Sequence, residues 1–387
     1  MKVIQINTFS YKAAGNIMMN LHRALLNKGV DSYVVWGRGR KAQNEHEYYM
    51  DDDLGVKIHG AYTRLTDKTG FASVSATRKL LKWIDNINPD IIHLHCIHGY
   101  YINIELLFNY IKKKNIRVVW TQHDCWAFTG HCAYFDACGC EKWKTGCYDC
   151  EQIHTYPISY IDNTKHNWKL KKKYFGGLDA IIVSPCNWLN GIVNESFLNI
   201  YESIVIYNGI DTDVFNHENS YLKKERIVLG IAGEWTKRKG LEDFLKLRSI
   251  LSDDYKIVLV GLTDKQINAL PKGIIGICRT ENTKKLVEIY RQASILFNPT
   301  YEDNFPTINL EALACGTPVI TYDTGGGVEC IDEGKNGYIV SKGDINKAAE
   351  LIIDTKWKYP IEFNKSKFSK NSMIRSYIEL TPYPAIS

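Results

Sequence analysis

Glu302-Asp303-Asn304-Phe305-Pro306-Thr307-Ile308-Asn309-Leu310-Glu311-Ala312-Leu313-Ala314-Cys315-Gly316-Thr317-Pro318-Val319-Ile320 is the stretch on which the fold turns. An apolar run, Ile295 to Pro299, precedes it, and another, Val319 to Tyr322, closes it. Between them lie a polar loop at Asn304 to Pro306 and a helix beginning near Thr307. Strand, helix, strand in that order is the unit of a parallel sheet covered by helices.

The same alternation extends through most of the chain. In the first half, strands are predicted at Val3 to Asn7, Ser32 to Trp36, Ile91 to His95, Arg117 to Thr121 and Ala180 to Ser184. Ile17, Leu21, Ala24 and Leu25 share one face of the helix after the first strand, and Gly29 stands just past its end. The second half repeats the pattern at Ile227 to Ala232, Lys256 to Gly261, Ile274 to Cys278, Ile295 to Pro299 and Val319 to Tyr322. The Asn208-Gly209 turn begins a linker between the two series. A length of 387 residues exceeds what one core usually supports. The expected fold is therefore α/β, with two Rossmann-like lobes of parallel sheet. Residues 1–206 form the first lobe, with a Cys-rich loop at 125–150; residues 207–365 form the second, and 366–387 a C-terminal helix returning to the first. Such lobes bind ligands in a cleft at the carboxyl ends of their strands.

With 48 basic against 43 acidic residues, the net charge of +5 is too small to argue for a nucleic-acid partner. Met1 to Asn7 reads as a first strand rather than a leader, and no apolar run is long enough to span a bilayer, so a cytoplasmic protein is expected. In that compartment eleven cysteines argue against a disulfide framework and for testing a metal site first.

Asp303 on the loop and Glu311 one to two turns into the helix are the candidate chemical pair. A carboxylate in the position of Glu311 can accept hydrogen bonds from both hydroxyls of a ribose. The helix N-terminus before it offers unpaired N–H groups and a positive dipole end to a diphosphate. Taken singly, each acid also fits a solvated surface role. The whole string resembles the acid, seven residues, acid motif of the family 4 retaining glycosyltransferases, which have the two-lobed GT-B fold. The resemblance spans nearly the whole chain. It includes Ala14-Gly15, Lys28-Gly29, Asn208-Gly209-Ile210-Asp211 with Val214-Phe215, Lys239-Gly240, and Thr324-Gly325-Gly326 with Glu329.

The resemblance implies catalytic roles for His123, Asp303 and Lys239. His123 and Asp303 would contact the donor sugar, and Lys239 would stabilise the leaving diphosphate as charge develops. It implies donor binding by Gly15, Arg238, Lys239, Asn304, Phe305, Pro306, Thr307 and Glu311, with Glu311 on the ribose. Two departures stand out. The first acid is Asp303 where Glu is commoner, with Glu302 beside it, and the arginine usual five or six residues before the lysine is replaced by Glu234 and Gly233. The implied activity is transfer of a hexosyl unit from a UDP- or GDP-sugar, with retention, to a glycan or lipid-linked acceptor in surface polysaccharide biosynthesis. The missing arginine motivates a rival, an inactive nucleotide-sugar-binding or regulatory protein. A dehydrogenase is disfavoured because Thr8 to Gly15 lacks the Gly-x-Gly-x-x-Gly turn. The Asp-x-Asp matches, Asp211-Thr212-Asp213 and Asp51 to Asp53, read as linker and polar loop, so no cofactor is expected for catalysis.

Cys125, Cys132, Cys138, Cys140, Cys147 and Cys150 crowd one segment beside His131. A structural zinc held by Cys132, Cys140, Cys147 and Cys150 is one reading; disulfides and free thiols are the others. Trp126, Phe128 and Trp143 suit either sugar stacking or burial. The basic stretches Lys169 with Lys171 to Lys173, and Lys112 to Lys114, read as solvated faces or as a peripheral contact with the cytoplasmic membrane leaflet.

Overall fold

The computed structural model describes residues 1–218 and 225–380. Two compact units emerge: Met1–Ile206 together with the stretch beginning at Ile374, and Tyr207–Met373. Residues 366–373, expected in the returning segment, thus stand in the second unit, and 381–387 of that segment lie outside the described residues.

The first unit holds a seven-stranded sheet of β1 (Lys2–Phe9), β2 (Asp31–Arg38), β3 (Glu47–Tyr49), β4 (Ile91–Leu94), β5 (Arg117–Thr121), β6 (Ala180–Ser184) and β7 (Glu202–Val205). Its order is β3-β2-β1-β4-β5-β6-β7, with every pairing parallel. The second unit holds β8 (Glu225–Ile231), β9 (Lys256–Val260), β10 (Ile274–Ile277), β11 (Ala293–Asn298), β12 (Val319–Tyr322) and β13 (Gly337–Val340), ordered β10-β9-β8-β11-β12-β13 and again parallel. All ten strands expected from sequence are present. The three others, β3, β7 and β13, are short and lie at sheet edges.

The central strands are buried on both faces, as helix-covered parallel strands must be: Val3, Ile4 and Ile6 of β1 are fully enclosed, as are Val228 and Leu229 of β8. In each sheet the chain order reverses beside the first strand, between β1 and β4 and between β8 and β11. Side chains and loops just past the carboxyl ends of those strands face a crevice, which is where open parallel sheets place ligands. Lys239 and Asp303 lie past β8 and β11, and His123 past the neighbouring strand β5.

The linker packs within the second unit. Ile210 bridges Ser369, Asp211 pairs with Lys370, and a Cβ on Gly209 would fall 2.3 Å from the Ser369 carbonyl oxygen. Asp211 is thus structural, and Asp52 caps the helix Asp53–Thr66 by accepting from Gly55 N at 3.0 Å. The last helix, Lys370–Ile378, buries Tyr377, whose hydroxyl lies 3.0 Å from Thr121 Oγ1 at the end of β5. Among the described residues no helix is long and apolar enough to cross a membrane.

Candidate active site

In the second unit three loops meet past β8, β11 and β12. The first carries the single turn Lys237–Lys239 and then Gly240, at φ +72°. A Cβ there would sit 2.3 Å from the Pro299 carbonyl oxygen, so only glycine lets the basic turn approach the β11 loop this closely. Tyr301 N donates to the Arg238 carbonyl at 2.9 Å, and Arg238 Nη1 donates to the Glu302 carbonyl. Lys239 Nζ makes an ion pair with Asp303, both side chains about one-fifth exposed at 17% and 21%.

The third loop holds Asp303 from the other side. Gly326 N donates to the Asn304 carbonyl at 2.8 Å, Thr324 Oγ1 to the Thr300 carbonyl at 2.9 Å, and a Cβ on Gly325 would lie 1.9 Å from the Asp303 carbonyl oxygen. Buried Asn298 and Asn309 join β11, the following helix and the third loop, through Asn298 Nδ2 to Asn309 Oδ1 at 2.9 Å and Asn309 Nδ2 to the Gly327 carbonyl at 3.0 Å. Phe305 anchors the loop against Tyr207 and Phe368. Glu302 is buried, so the exposed acid of the pair is Asp303.

The helix after this loop runs Thr307–Ala314, preceded by Pro306 with no side-chain cap. No side chain takes up its first N–H groups, and Asn309 N bonds the Pro306 carbonyl at 3.3 Å. Glu311, half-buried on this helix, accepts from Tyr290 Oη at 2.8 Å. Burial pushes its carboxyl above the ordinary glutamate range, and hydrogen bonds from Tyr290 and Thr307 oppose that rise.

In the first unit His123 sits past β5, with Nε2 3.0 Å from His95 Nδ1 and the two rings stacked at 5.3 Å. His95 in turn stacks on His93 at 4.3 Å and approaches Gln5 Oε1 at 3.4 Å. His93 Nε2 meets Thr121 Oγ1 at 2.8 Å, which continues to Tyr377. Burial pushes His123 down to about 4 and His93 to about 3, so the group is neutral at pH 7. Beside it His98 Nε2 pairs with Asp124 at 2.7 Å, and His98 Nδ1 meets Tyr156 Oη at 2.9 Å. Sequence reasoning named His123 and missed His93, His95, His98 and Asp124. Their signal was present: His93-Leu94-His95-Cys96-Ile97-His98 puts three histidines at the end of one strand.

Gly15 lies in the helix Lys12–Asn27, where a Cβ would meet the Phe9 carbonyl oxygen at 2.6 Å, so packing within the chain also calls for glycine there. Two other expectations are corrected. Lys171 belongs to no solvated face: it is buried, with Nζ donating to the Trp126 and Thr129 carbonyls at 2.7 and 3.0 Å and lying 3.6 Å from the Trp126 ring centre. Trp126, Phe128 and Trp143 are buried packing residues. None of the eleven cysteines is joined in a disulfide. Among the described residues the trio whose ligand atoms all lie within 4.8 Å is Cys96, His98 and Asp124, and the thiols at 132, 140, 147 and 150 are set more widely.

Residues 14–214 match the family described as Glycosyltransferase Family 4, and residues 213–359 that described as Glycosyl transferases group 1. The chain is 24% identical over 410 residues, spanning 98% of each chain, to WcaC of Escherichia coli K12, whose name gives it a glycosyl transferase role in colanic acid biosynthesis. Sucrose-phosphate synthase of Thermosynechococcus elongatus shares the fold with a TM-score of 0.71 at 15% identity over 97% of each chain. HepE of Anabaena, solved with UDP and glucose, does so with a TM-score of 0.65 at 13% identity over 98% of each.

Proposed function

The chain belongs to Glycosyltransferase Family 4, and on that footing we propose that it transfers a hexosyl unit from a UDP- or GDP-sugar to a hydroxyl of a glycan or lipid-linked acceptor, with retention at the anomeric carbon. The observation that carries this reading is the arrangement of Glu311, Asp303 and Lys239 around an uncapped helix N-terminus. Glu311, fixed by Tyr290, accepts from the ribose hydroxyls. The diphosphate takes the N–H groups of the helix Thr307–Ala314 and Lys239. Asp303, released from Lys239, accepts from hydroxyls of the donor sugar. Donor arrival thus gives each ion of the resting pair a new partner, so little charge is left unpaired at any stage.

His123, neutral because burial lowers its affinity for protons, serves the sugar through hydrogen bonding and adds no charge. His98 and Asp124 lie on the same unit, where they suit an acceptor hydroxyl. The similarity to WcaC supports a place in surface polysaccharide biosynthesis, and UDP bound in the HepE structure supports a nucleotide-sugar donor.

A peripheral membrane contact, in a cytoplasmic enzyme, is supported by the helix Asp53–Thr66. It buries His59, Gly60 and Thr63 and turns Leu54, Ile58 and Leu65 outward at 70%, 59% and 62% exposure. Exposed Lys57 and Arg64 flank that stripe, and Tyr160, whose N–H donates to the Arg64 carbonyl at 2.9 Å, extends it with Ile161. An apolar stripe edged by cations suits an anionic leaflet carrying a lipid-linked acceptor.

The deciding experiment is transfer from UDP- and GDP-hexoses, followed by mass spectrometry, for the native protein and Glu311→Ala. Transfer by the first and none by the second, with the fold retained, is expected. Donor binding without any product from the native protein across the acceptors tried would favour the inactive binding protein instead.

A further inference from the structure

Between β5 and the helix Thr164–Phe175 the described backbone makes no strand, only the single turns Trp126–Phe128, Asp136–Cys138 and Lys142–Lys144. This stretch nevertheless buries Trp126, Phe128, Phe135 and Trp143. A segment with so few backbone ladders needs other ties to hold four large side chains in place.

Four thiols of this stretch lie off the surface: Cys132 and Cys147 are buried, Cys140 and Cys150 partly buried, and Cys132 interacts with Cys150. Cys147 Sγ also accepts from Gly130 N at 3.0 Å. Cys147-x-x-Cys150 supplies two of these sulfurs at chelating spacing. Cys138 is engaged elsewhere, donating to the Phe135 carbonyl at 3.2 Å and accepting from Gln152 Nε2 at 3.3 Å.

The surroundings suit an anionic metal centre. Lys171 lies buried nearby, with Nζ donating to the Trp126 and Thr129 carbonyls. His131 is buried, its Nδ1 is held by Asp67, and its Nε2 has no hydrogen-bond partner. A ring nitrogen left free while a carboxylate holds the other is the arrangement of a histidine facing a metal centre, with the carboxylate outside the ligand shell.

We infer that Cys132, Cys140, Cys147 and Cys150 bind one structural Zn²⁺ as thiolates, and that this ion is the staple of the loop. Four S–H protons pass to solvent as four Zn–S bonds form, with no change of oxidation state. Four sulfur ligands in a tetrahedron select zinc over harder cations. Zn–S bonds of about 2.3 Å draw the sulfurs to roughly 3.8 Å apart, closer than their present setting. This site is independent of the transfer reaction, and its test does not use activity.

The test is metal content by plasma mass spectrometry on the full chain, expressed with zinc in the medium and purified without chelators. About one zinc per chain is expected. It should be lost in Cys147→Ser and Cys150→Ser but kept in Cys138→Ser and Cys96→Ser. If the first two variants fail to fold, the cobalt-substituted native protein decides, since a tetrathiolate site gives intense sulfur-to-cobalt charge transfer and tetrahedral visible bands. Zinc-free native protein overturns the inference. So do disulfide-linked peptides among these four cysteines, or zinc that leaves with Cys96→Ser and stays in Cys147→Ser, which would place it at the Cys96, His98 and Asp124 trio.

Discussion

Replacing Tyr290 with Phe removes one oxygen and leaves the ring in its fully buried place. That oxygen lies 2.8 Å from Glu311 Oε2 and donates to it. A hydrogen bond to a charged group contributes about 1.5–3 kcal/mol, and every 1.4 kcal/mol is a tenfold change in a binding constant. If Glu311 holds the ribose, Tyr290→Phe should weaken UDP or GDP binding by about ten- to a hundredfold at pH 7. The pH dependence has a definite sign. Burial already raises the Glu311 carboxyl above its unfolded value. The unliganded fold therefore loses stability as pH climbs from the unfolded value to the folded one, while donor binding, which needs the carboxylate, gains over the same span. Without the Tyr290 hydroxyl the carboxyl rises further, and the acid limb of donor binding moves to higher pH. Calorimetric titration with UDP and GDP from pH 5 to 8 reads both effects. A variant that binds both nucleotides like the native protein, with a superimposable pH profile, would show that Glu311 is not the ribose acceptor.

Gly325→Ala adds a Cβ 1.9 Å from the Asp303 carbonyl oxygen at a position with φ +52°. It should cost at least 1–3 kcal/mol in urea unfolding and lower transfer by displacing Asp303, whereas Gly233→Ala, where nothing lies within 4 Å, should leave both unchanged. His59 is pushed down to about 4 by burial, with Gly70 N donating to its Nε2 at 3.0 Å. Its contribution is complete above pH 6.5 and lost as pH falls toward 4, up to about 3 kcal/mol; His59→Gln should flatten that part of the stability profile, and an unchanged slope would contradict the assignment. Ile58→Glu with Leu65→Glu should reduce sedimentation with vesicles containing anionic lipid while leaving transfer to a soluble acceptor intact; undiminished sedimentation would remove the stripe as the contact.

The nine interior strands, and the edge strand β10, were legible because helix-covered parallel strands demand continuous apolar runs, which β10 also has in Ile274 to Ile277. The edge strands β3, β7 and β13 were not, because a strand enclosed on fewer sides needs no such run: Glu47-Tyr48-Tyr49 is only half-buried throughout. The site was legible where backbone geometry dictates residue type, as at Gly240 and Gly325, and where Asp303 and Glu311 flank a helix start. It was illegible where pairing decides. Nothing in Lys237-Arg238-Lys239 tells that Lys239 pairs with Asp303 while Arg238 turns to the Glu302 carbonyl. Lys171 looked like a surface charge by composition, yet its Nζ is buried against two carbonyls and an indole face, and burial pushes it down to about 7. The histidine run at the end of β4 escaped because alternation assigned it to a strand, and only the register with β5 brings His95 to His123.

The first unit is discontinuous along the chain, and that has a consequence for biosynthesis. Thr121 and, through it, His93 receive their Tyr377 partner from the last helix. A ribosome that has finished residue 206 must still make the whole second unit before Tyr377 exists, a delay of roughly ten to thirty seconds at about 5–20 residues per second. During that interval the seven strands can form while the polar cluster at the ends of β4 and β5 stays open to water. The nascent first unit therefore waits with its histidines unsealed until the helix Lys370–Ile378 has been made.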